Sequence, residues 1–550
     1  MSRLKDKSAR VRLLSRFVAD IYSGSNEGRF EAIEDRLNAI EAQLWRNAST
    51  NQSAMETDYD DQYVELFEAH SPTPSSIDTP ASLQQSMTLG PLESTRTDEM
   101  PLPPRHEIEP LVANYFQGFN QAMPLFHHGN FMKMVQDWYH FPSRRDQASW
   151  SAINVVIALS LQHAPSGKTR AGDSMASTCI RNAQSTMDSL VYRDQDLKGL
   201  QVLLCLALLF LGTAHPHPAC VLVATAVKLV HRLKLHIKEA SDAHENALER
   251  NRLFWITYIV DRIISMHTVE PYLLQEHDID IDVKGVTSLD NVGCLFLKDN
   301  SQRVDFFQLR IELALIQGKV YDLVYSVRAS KLSPNQKQAA TERLDRMLDQ
   351  WYNSVPKYFT FEKAAELDPR PRRHCISLHV AYYQCLFSSR RANASERPWV
   401  KRLIDYSDTL GQEGEPSKDS QHAPALLPSN WSNLVTAARS CLALSDLIDD
   451  NDSALRWSAT CAYQAAVTVL AAKNLTLCEH DLHEQIDSDQ DRIETSVRQL
   501  ELRLQDSEDA YLRAVHSVCA DLSKRAAVVV NSFDKGSTGG AFWDDGQSIS

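Results

Sequence analysis

The first regular spacing of apolar positions lies in RFEAIEDRLNAIEAQLWR, residues 29–46, where Phe30, Ile33, Leu37, Ile40 and Leu44 follow at intervals of three, four, three and four. This is the a/d seam of a short coiled coil, whose apolar knobs pack between two chains. These five residues are therefore the candidate dimerisation contacts. At just over two heptads such a helix is marginal alone in water, so it calls for support from a partner, from the rest of the chain or from DNA. From about 101 to about 533 apolar residues recur continuously at helical spacing, which predicts a large all-α, multi-helix body. Helices are expected at 104–119, 149–162, 174–191, 199–212, 219–235, 243–267, 303–328, 335–354, 375–391, 430–449, 453–473 and 488–531. Pro104 and Pro218 suit first helical turns, and Asp242 and Glu245 stand at capping-box spacing before the helix at 243–267. The polar run 407–428 reads as an internal loop, and no repeat of fixed period points to a solenoid.

Around this body the chain changes character. Residues 1–28 form a basic leader, with six basic side chains against one acidic in 1–16, whereas 47–100 carry ten acidic against one basic. The leader suits phosphate contact or nuclear import, or simply a solvated tail. Residues 47–100 hold too little apolar surface to offset ordering entropy and read as a disordered acidic linker; 534–550 read as a disordered tail. Within the linker, TDYDDQYVELFEAH at 57–70 interleaves carboxylates with Tyr59, Tyr63, Leu66 and Phe67. That alternation suits an activation segment that folds on a coactivator, or a plain linker. The net charge of −14 argues against a protein that coats nucleic acid generally. The N-terminus lacks the apolar core of a signal peptide, and the longest apolar run, LQVLLCLALLFLG at 200–212, is too short to span a bilayer. All ten cysteines lie at or after Cys179 without a C-x-x-C pair. They read as buried thiols of a soluble, intracellular chain, with neither a disulfide framework nor a zinc cluster.

Candidate chemistry is sparse. SGKT at 166–169 lacks the upstream glycine of a phosphate-binding loop, where Gln162 stands instead. HPHP at 215–218 and Cys478, His480 and His483 in CEHDLHE place metal donors close together, but the spacing suits a solvated connection equally. No H-E-x-x-H or G-x-S-x-G element occurs, and the chain is expected not to be an enzyme. Arg262 shares the apolar face of its helix with Trp255, Tyr258, Ile259 and Met266, and a guanidinium there needs a carboxylate. Asp261 does not serve easily as that partner, because neighbours in sequence do not face each other on a helix surface. Asp278, Asp280 and Asp282 of HDIDIDV are the expected partners, and an anion-binding arginine in a cleft is the functional alternative.

Residues 200–283 resemble the middle homology region of fungal zinc-cluster transcription factors. The likeness lies in ALLFLGTAHPHPACVLVATAVKLVHRLKLH, in LERNRLFWITYIVDRIISM, and in Pro271 followed by DIDIDV. Its most specific part is the pattern of Arg252, Trp255, Tyr258, Asp261 and Arg262, and residues 101–139 resemble the family's opening segment. The resemblance implies an all-helical regulatory domain, nuclear residence and dimeric binding to paired DNA half-sites. In this family a six-cysteine zinc cluster normally precedes the coiled coil. Here the first cysteine is Cys179, so no zinc or other cofactor is expected, no DNA-reading residue is carried over, and DNA contact is expected to be indirect. Either a cluster is encoded upstream of Met1, or the chain pairs as a homo- or heterodimer with a zinc-cluster partner. The family's usual G-R-P is replaced by Val269-Glu270-Pro271. The reading is a nuclear transcription regulator without a membrane segment, acting through dimerisation and protein contacts, and the resemblance suggests a biosynthetic gene cluster as its target; a small-molecule sensor with a pocket at Trp255, Tyr258 and Arg262, or a structural adaptor, is the alternative.

Overall fold

The computed structural model describes residues 100–539, apart from 164–169, 193–196, 214–215, 243, 245, 284–289, 298–300, 411–425, 429, 450, 478–479, 481 and 506–509. Phe30, Ile33, Leu37, Ile40 and Leu44, the segment around Tyr59, Tyr63, Leu66 and Phe67, and the SGKT run lie outside the described residues.

The first half runs through α1 (Arg105–Gln117), α2 (Phe119–Ala122), α3 (His128–His140), α4 (Gln147–Gln162), α5 (Arg170–Gln184), α6 (Met187–Tyr192), α7 (Leu197–Leu211), α8 (His217–Arg232), α9 (Lys238–Asp242) and α10 (Ala247–Thr268). A helix without a polar face belongs at the centre of a core. Two helices here have that character: α4 is buried at every position from Ala148 to Ser160, and α7 from Gly199 to Ala207. Asp146 starts α4 by accepting from the Ser149 amide at 2.9 Å, the usual remedy for unpaired amides at a helix start. The apolar run at 200–212 is thus a core helix, and among the described residues no helix is long and apolar enough to cross a membrane.

The second half comprises the hairpin β1 (Leu295–Leu297) and β2 (Gln302–Val304), then α11 (Phe306–Val320), α12 (Val327–Ser330), α13 (Pro334–Ser354), α14 (Pro369–Ser389), α15 (Arg397–Leu410), α16 (Trp431–Ser445), α17 (Ser453–Ser458), α18 (Thr460–Leu475), α19 (Ile486–Leu504) and α20 (Ala510–Gly539). Its centre is α18, buried at every position from Ala462 to Leu475 and surrounded by α14, α16, α19 and α20. Two hydrophobic cores result, and α10 and α11 form the seam between them. Met266 of α10 belongs to the second core, whereas Phe307, Ile311 and Ala314 of α11 belong to the first.

The architecture is all-α, with differences from the periodicity. The hairpin was not expected, because strands of three residues offer too few positions to show alternation. The helix expected at 174–191 is broken after Gln184. There the Thr186 hydroxyl donates to the Ala183 carbonyl at 2.9 Å and meets the Ser151 hydroxyl, a side-chain competitor to the helical ladder. α10 begins at Ala247, not at 243, and Asp242 instead ends α9; Asn246 makes no side-chain cap bond. The helix expected at 453–473 divides at Ala459, and α20 continues to Gly539.

Candidate functional site

The pattern that singled out α10 resolves into two buried arginines with different tasks. Arg252 forms a bidentate pair with Asp290 at 2.9 and 2.7 Å and reaches the Val292 carbonyl, fixing the approach to the hairpin. Trp255 and Tyr258 pack edge to face at 5.3 Å inside the first core. Arg262 has no exposed surface. Its guanidinium lies between the rings of Tyr258 and Tyr272, 4.0 and 3.7 Å from their centroids, a stacked arrangement favourable to a desolvated cation.

The carboxylate beside it is Asp261, at 2.6 Å, and not Asp278, Asp280 or Asp282. The rule that sequence neighbours diverge holds for bare helix surfaces. Here the chain returning after Pro271 supplies a meeting point. Asp261 accepts from the Leu273 and Leu274 amides at 3.0 and 2.9 Å, while Arg262 donates to the Leu274 carbonyl at 2.7 Å. Asp280 accepts from the Lys238 amide, Asp282 pairs with the Lys238 ammonium, and Asp278 lies at the exposed surface beside His277.

This cluster extends across the seam. Tyr258 donates to Glu276 at 3.2 Å, Glu276 also pairs with Lys319 of α11, and Tyr272 donates to Asp322 at 2.8 Å. α11 comes close at Gly318, where an added Cβ would sit 2.9 Å from Arg262 Nε. Asp322 falls in a π-helical turn, Tyr321–Tyr325, that ends α11. Burial pushes both tyrosine hydroxyls well above their ordinary value and raises the Asp261 carboxyl against the pull of Arg262. The two tyrosine hydroxyls therefore stay protonated near neutrality, where acid–base catalysis would need them to exchange a proton. The cluster holds two cores together, and the space at Trp255, Tyr258 and Arg262 is filled by side chains.

The turn after α10 keeps its shape at a cost. Val269 adopts φ 58° and ψ 25°, the left-handed conformation that glycine favours. A β-branched residue there costs about 1–2 kcal/mol, and its side chain is 39% exposed, so it gains little by burial. Val269→Gly should therefore stabilise the protein by about 1 kcal/mol, net of the added freedom of glycine in the unfolded chain. The urea midpoint measures this; an unchanged or lower midpoint contradicts it.

Open space occurs along the seam, next to α10 but away from Arg262. A cavity of about 130 Å³ is lined by α2, α4, α7, α10, α11, α14 and α17, with Ile263 and His267 contributed by α10. His374 borders it, packed 5.2 Å from the Phe306 ring, and burial pulls its imidazole down to about 3 against the Gly118 carbonyl. Because the folded value lies below the unfolded one, His374 contributes stability above about pH 6.5 that is lost as pH falls towards 3. The loss is at most about 1.4 kcal/mol per pH unit from this residue. His374→Gln should flatten the decline in urea stability between pH 7 and 5. Equal pH slopes for the two proteins would refute this. Of the other donor cluster, Cys478 lies outside the described residues; His480 meets the Lys473 carbonyl and accepts from the Leu482 amide, and among the described residues no group of donors could hold a metal ion.

With α10 and its returning chain as the frame, residues 112–353 match the fungal specific transcription factor domain. The chain carries a fungal-specific transcription factor domain. The match begins in α1 and ends in α13, so it contains the whole α10 cluster. The chain is 29% identical over 441 residues to the ABC-transporter-regulating transcription factor of Aspergillus oryzae, covering 79% of this chain and 48% of that protein. The protein of the same description in Aspergillus fumigatus shows the same identity and coverage. The Fusaridione A cluster transcription factor of Fusarium heterosporum is 23% identical over 85% of this chain and 86% of its own length. The chain spans about half the length of the two Aspergillus proteins. The domain and these relatives are regulators of transcription, not enzymes.

Proposed function

We propose that this chain is a nuclear transcription regulator whose helical domain acts through protein contacts, with the heptad helix at 29–46 pairing it to a second copy or to a zinc-cluster partner. The observation that carries this reading is the domain match at 112–353, extended by likeness to named transcription factors over 79% and 85% of the chain. The relative named for a Fusaridione A cluster supports a biosynthetic gene cluster as the regulated unit. The acidic segment at 57–70 supplies the surface for a coactivator. DNA is then approached through the partner.

The experiment fuses the full chain to a heterologous DNA-binding head above a reporter, alongside deletion of the gene in its source organism. Reporter output should change with the fusion, and transcripts of one gene cluster should change with the deletion. Leu37→Asp with Ile40→Asp should abolish self- or partner association, because charges on a short seam cannot be buried. A silent reporter together with an unchanged transcriptome would leave a structural adaptor instead.

A further inference from the structure

Arg310 is a buried cation that nothing neutralises among the described residues. It sits on α11 with 7% of its surface exposed and lines the seam cavity. Its neighbours at three and four residues' distance, Phe306, Phe307, Leu313 and Ala314, are all apolar and buried. No hydrogen bond or ion pair reaches its guanidinium among the described residues. Cys385 is the titratable group acting on it, and burial pushes that thiol up to about 12, so it stays neutral beside the cation. Burial pulls Arg310 itself down to about 10, which leaves it charged at neutral pH.

Among the described residues that line the cavity around it there is no carboxylate. Arg373, the other lining arginine, is taken by Asp452, which accepts from it at 2.5 Å and also caps α17 through the Leu455 amide. His267 and His374 are held neutral by burial. Much of the remaining wall is apolar: Phe119, Met123, Leu208, Ile263, Phe306 and Leu455. An unpaired buried charge is costly, and the cost is recovered when an anion arrives. The volume, about 130 Å³, is close to that of engineered apolar cavities that admit benzene, on the order of 150 Å³.

We propose that the seam cavity binds a small carboxylate with an apolar body of roughly benzene size, its carboxylate paired with Arg310 and its body against Phe119, Ile263 and Phe306. The site lies between the two cores, so occupancy acts on the seam that joins them. The proposal goes beyond transcriptional regulation and stands apart from it, because binding is read on the full chain whether or not any transcript changes.

Titration calorimetry and thermal unfolding of the full chain test it, with benzoate as probe, benzamide as its neutral isostere and chloride as a bare anion. Benzoate should bind and raise the melting temperature with concentration, with benzamide weaker by on the order of tenfold and chloride without effect at the same concentration. Arg310→Met, which keeps the packed stem and removes the charge, should reduce benzoate to the level of benzamide. The same variant should melt higher than the wild type without ligand, since it removes an uncompensated charge. Equal binding of benzoate and benzamide, equal protection by chloride, no benzoate binding at millimolar concentration, or a lower melting temperature for ligand-free Arg310→Met would each overturn the assignment.

Discussion

Asp261→Ala should destabilise the protein by about 3–5 kcal/mol, the usual consequence of leaving one member of a buried ion pair without its partner. The Arg262 guanidinium would stay fully enclosed between Tyr258 and Tyr272, keeping the Leu274 carbonyl as acceptor but losing its carboxylate. The Leu273 and Leu274 amides would lose their acceptor at the same time. Two unmet demands fall in one place, so the effect exceeds that of an exposed salt bridge, worth about 0–1 kcal/mol. Asp261→Asn keeps an acceptor for the amides and should cost less. The double variant Asp261→Ala, Arg262→Met should recover much of the loss, because the stranded charge leaves with the arginine. Urea unfolding of the four proteins gives the coupling energy. A loss below about 1 kcal/mol for Asp261→Ala would place the pair among surface-like contacts and remove the clamp described here.

A comparable loss, about 3–5 kcal/mol, is expected for Asp489→Ala in the second core. Lys473, at the end of α18, is completely buried and donates to Asp489 at 2.7 Å and to the Glu484 carbonyl at 3.1 Å. Arg439 of α16 reaches the same carboxylate through two bonds, at 2.9 and 2.8 Å. One carboxylate thus serves two cations, and burial already pulls the Lys473 ammonium below its ordinary value despite that support. Removing Asp489 would leave Lys473 with a single neutral acceptor. Lys473→Met added to Asp489→Ala should restore most of the stability. If the single substitution leaves the denaturation midpoint within about 0.5 kcal/mol of the wild type, as surface changes do, α18 does not depend on this ion pair.

The helices of both cores were largely legible because long runs such as 200–212 permit little else than burial, and because α13 shows sustained spacing at Ala340, Leu344, Leu348 and Trp351. The breaks within such runs were not. At Thr186 a single hydroxyl competes with the ladder, and no periodicity reports that. The α10 pattern pointed to a buried arginine correctly, but its partner depended on chain returning from Pro271 to present two amides and a carbonyl, a tertiary event beyond helix geometry. Arg310 carries a stronger form of the sign that marks Arg262: Tyr258, Ile259 and Met266 but also Ser265 stand three and four residues from Arg262, whereas all four such neighbours of Arg310 are apolar. What distinguishes the two is invisible in the sequence: one packs against its carboxylate, and the other faces space.

The free cysteines have a practical consequence. Seven of those described are buried, among them Cys205 in the first core and Cys441 and Cys519 in the second. Burial raises all three thiols, so an alkylating reagent meets a protonated, inaccessible sulfur until the surrounding helices open. Each thiol is therefore a clock for local opening, free energy being read from its labelling rate in the native protein. If Cys205 and Cys441 are labelled at one common rate, the seam makes the two cores a single cooperative unit; if one runs ahead, that core opens first while the other still holds.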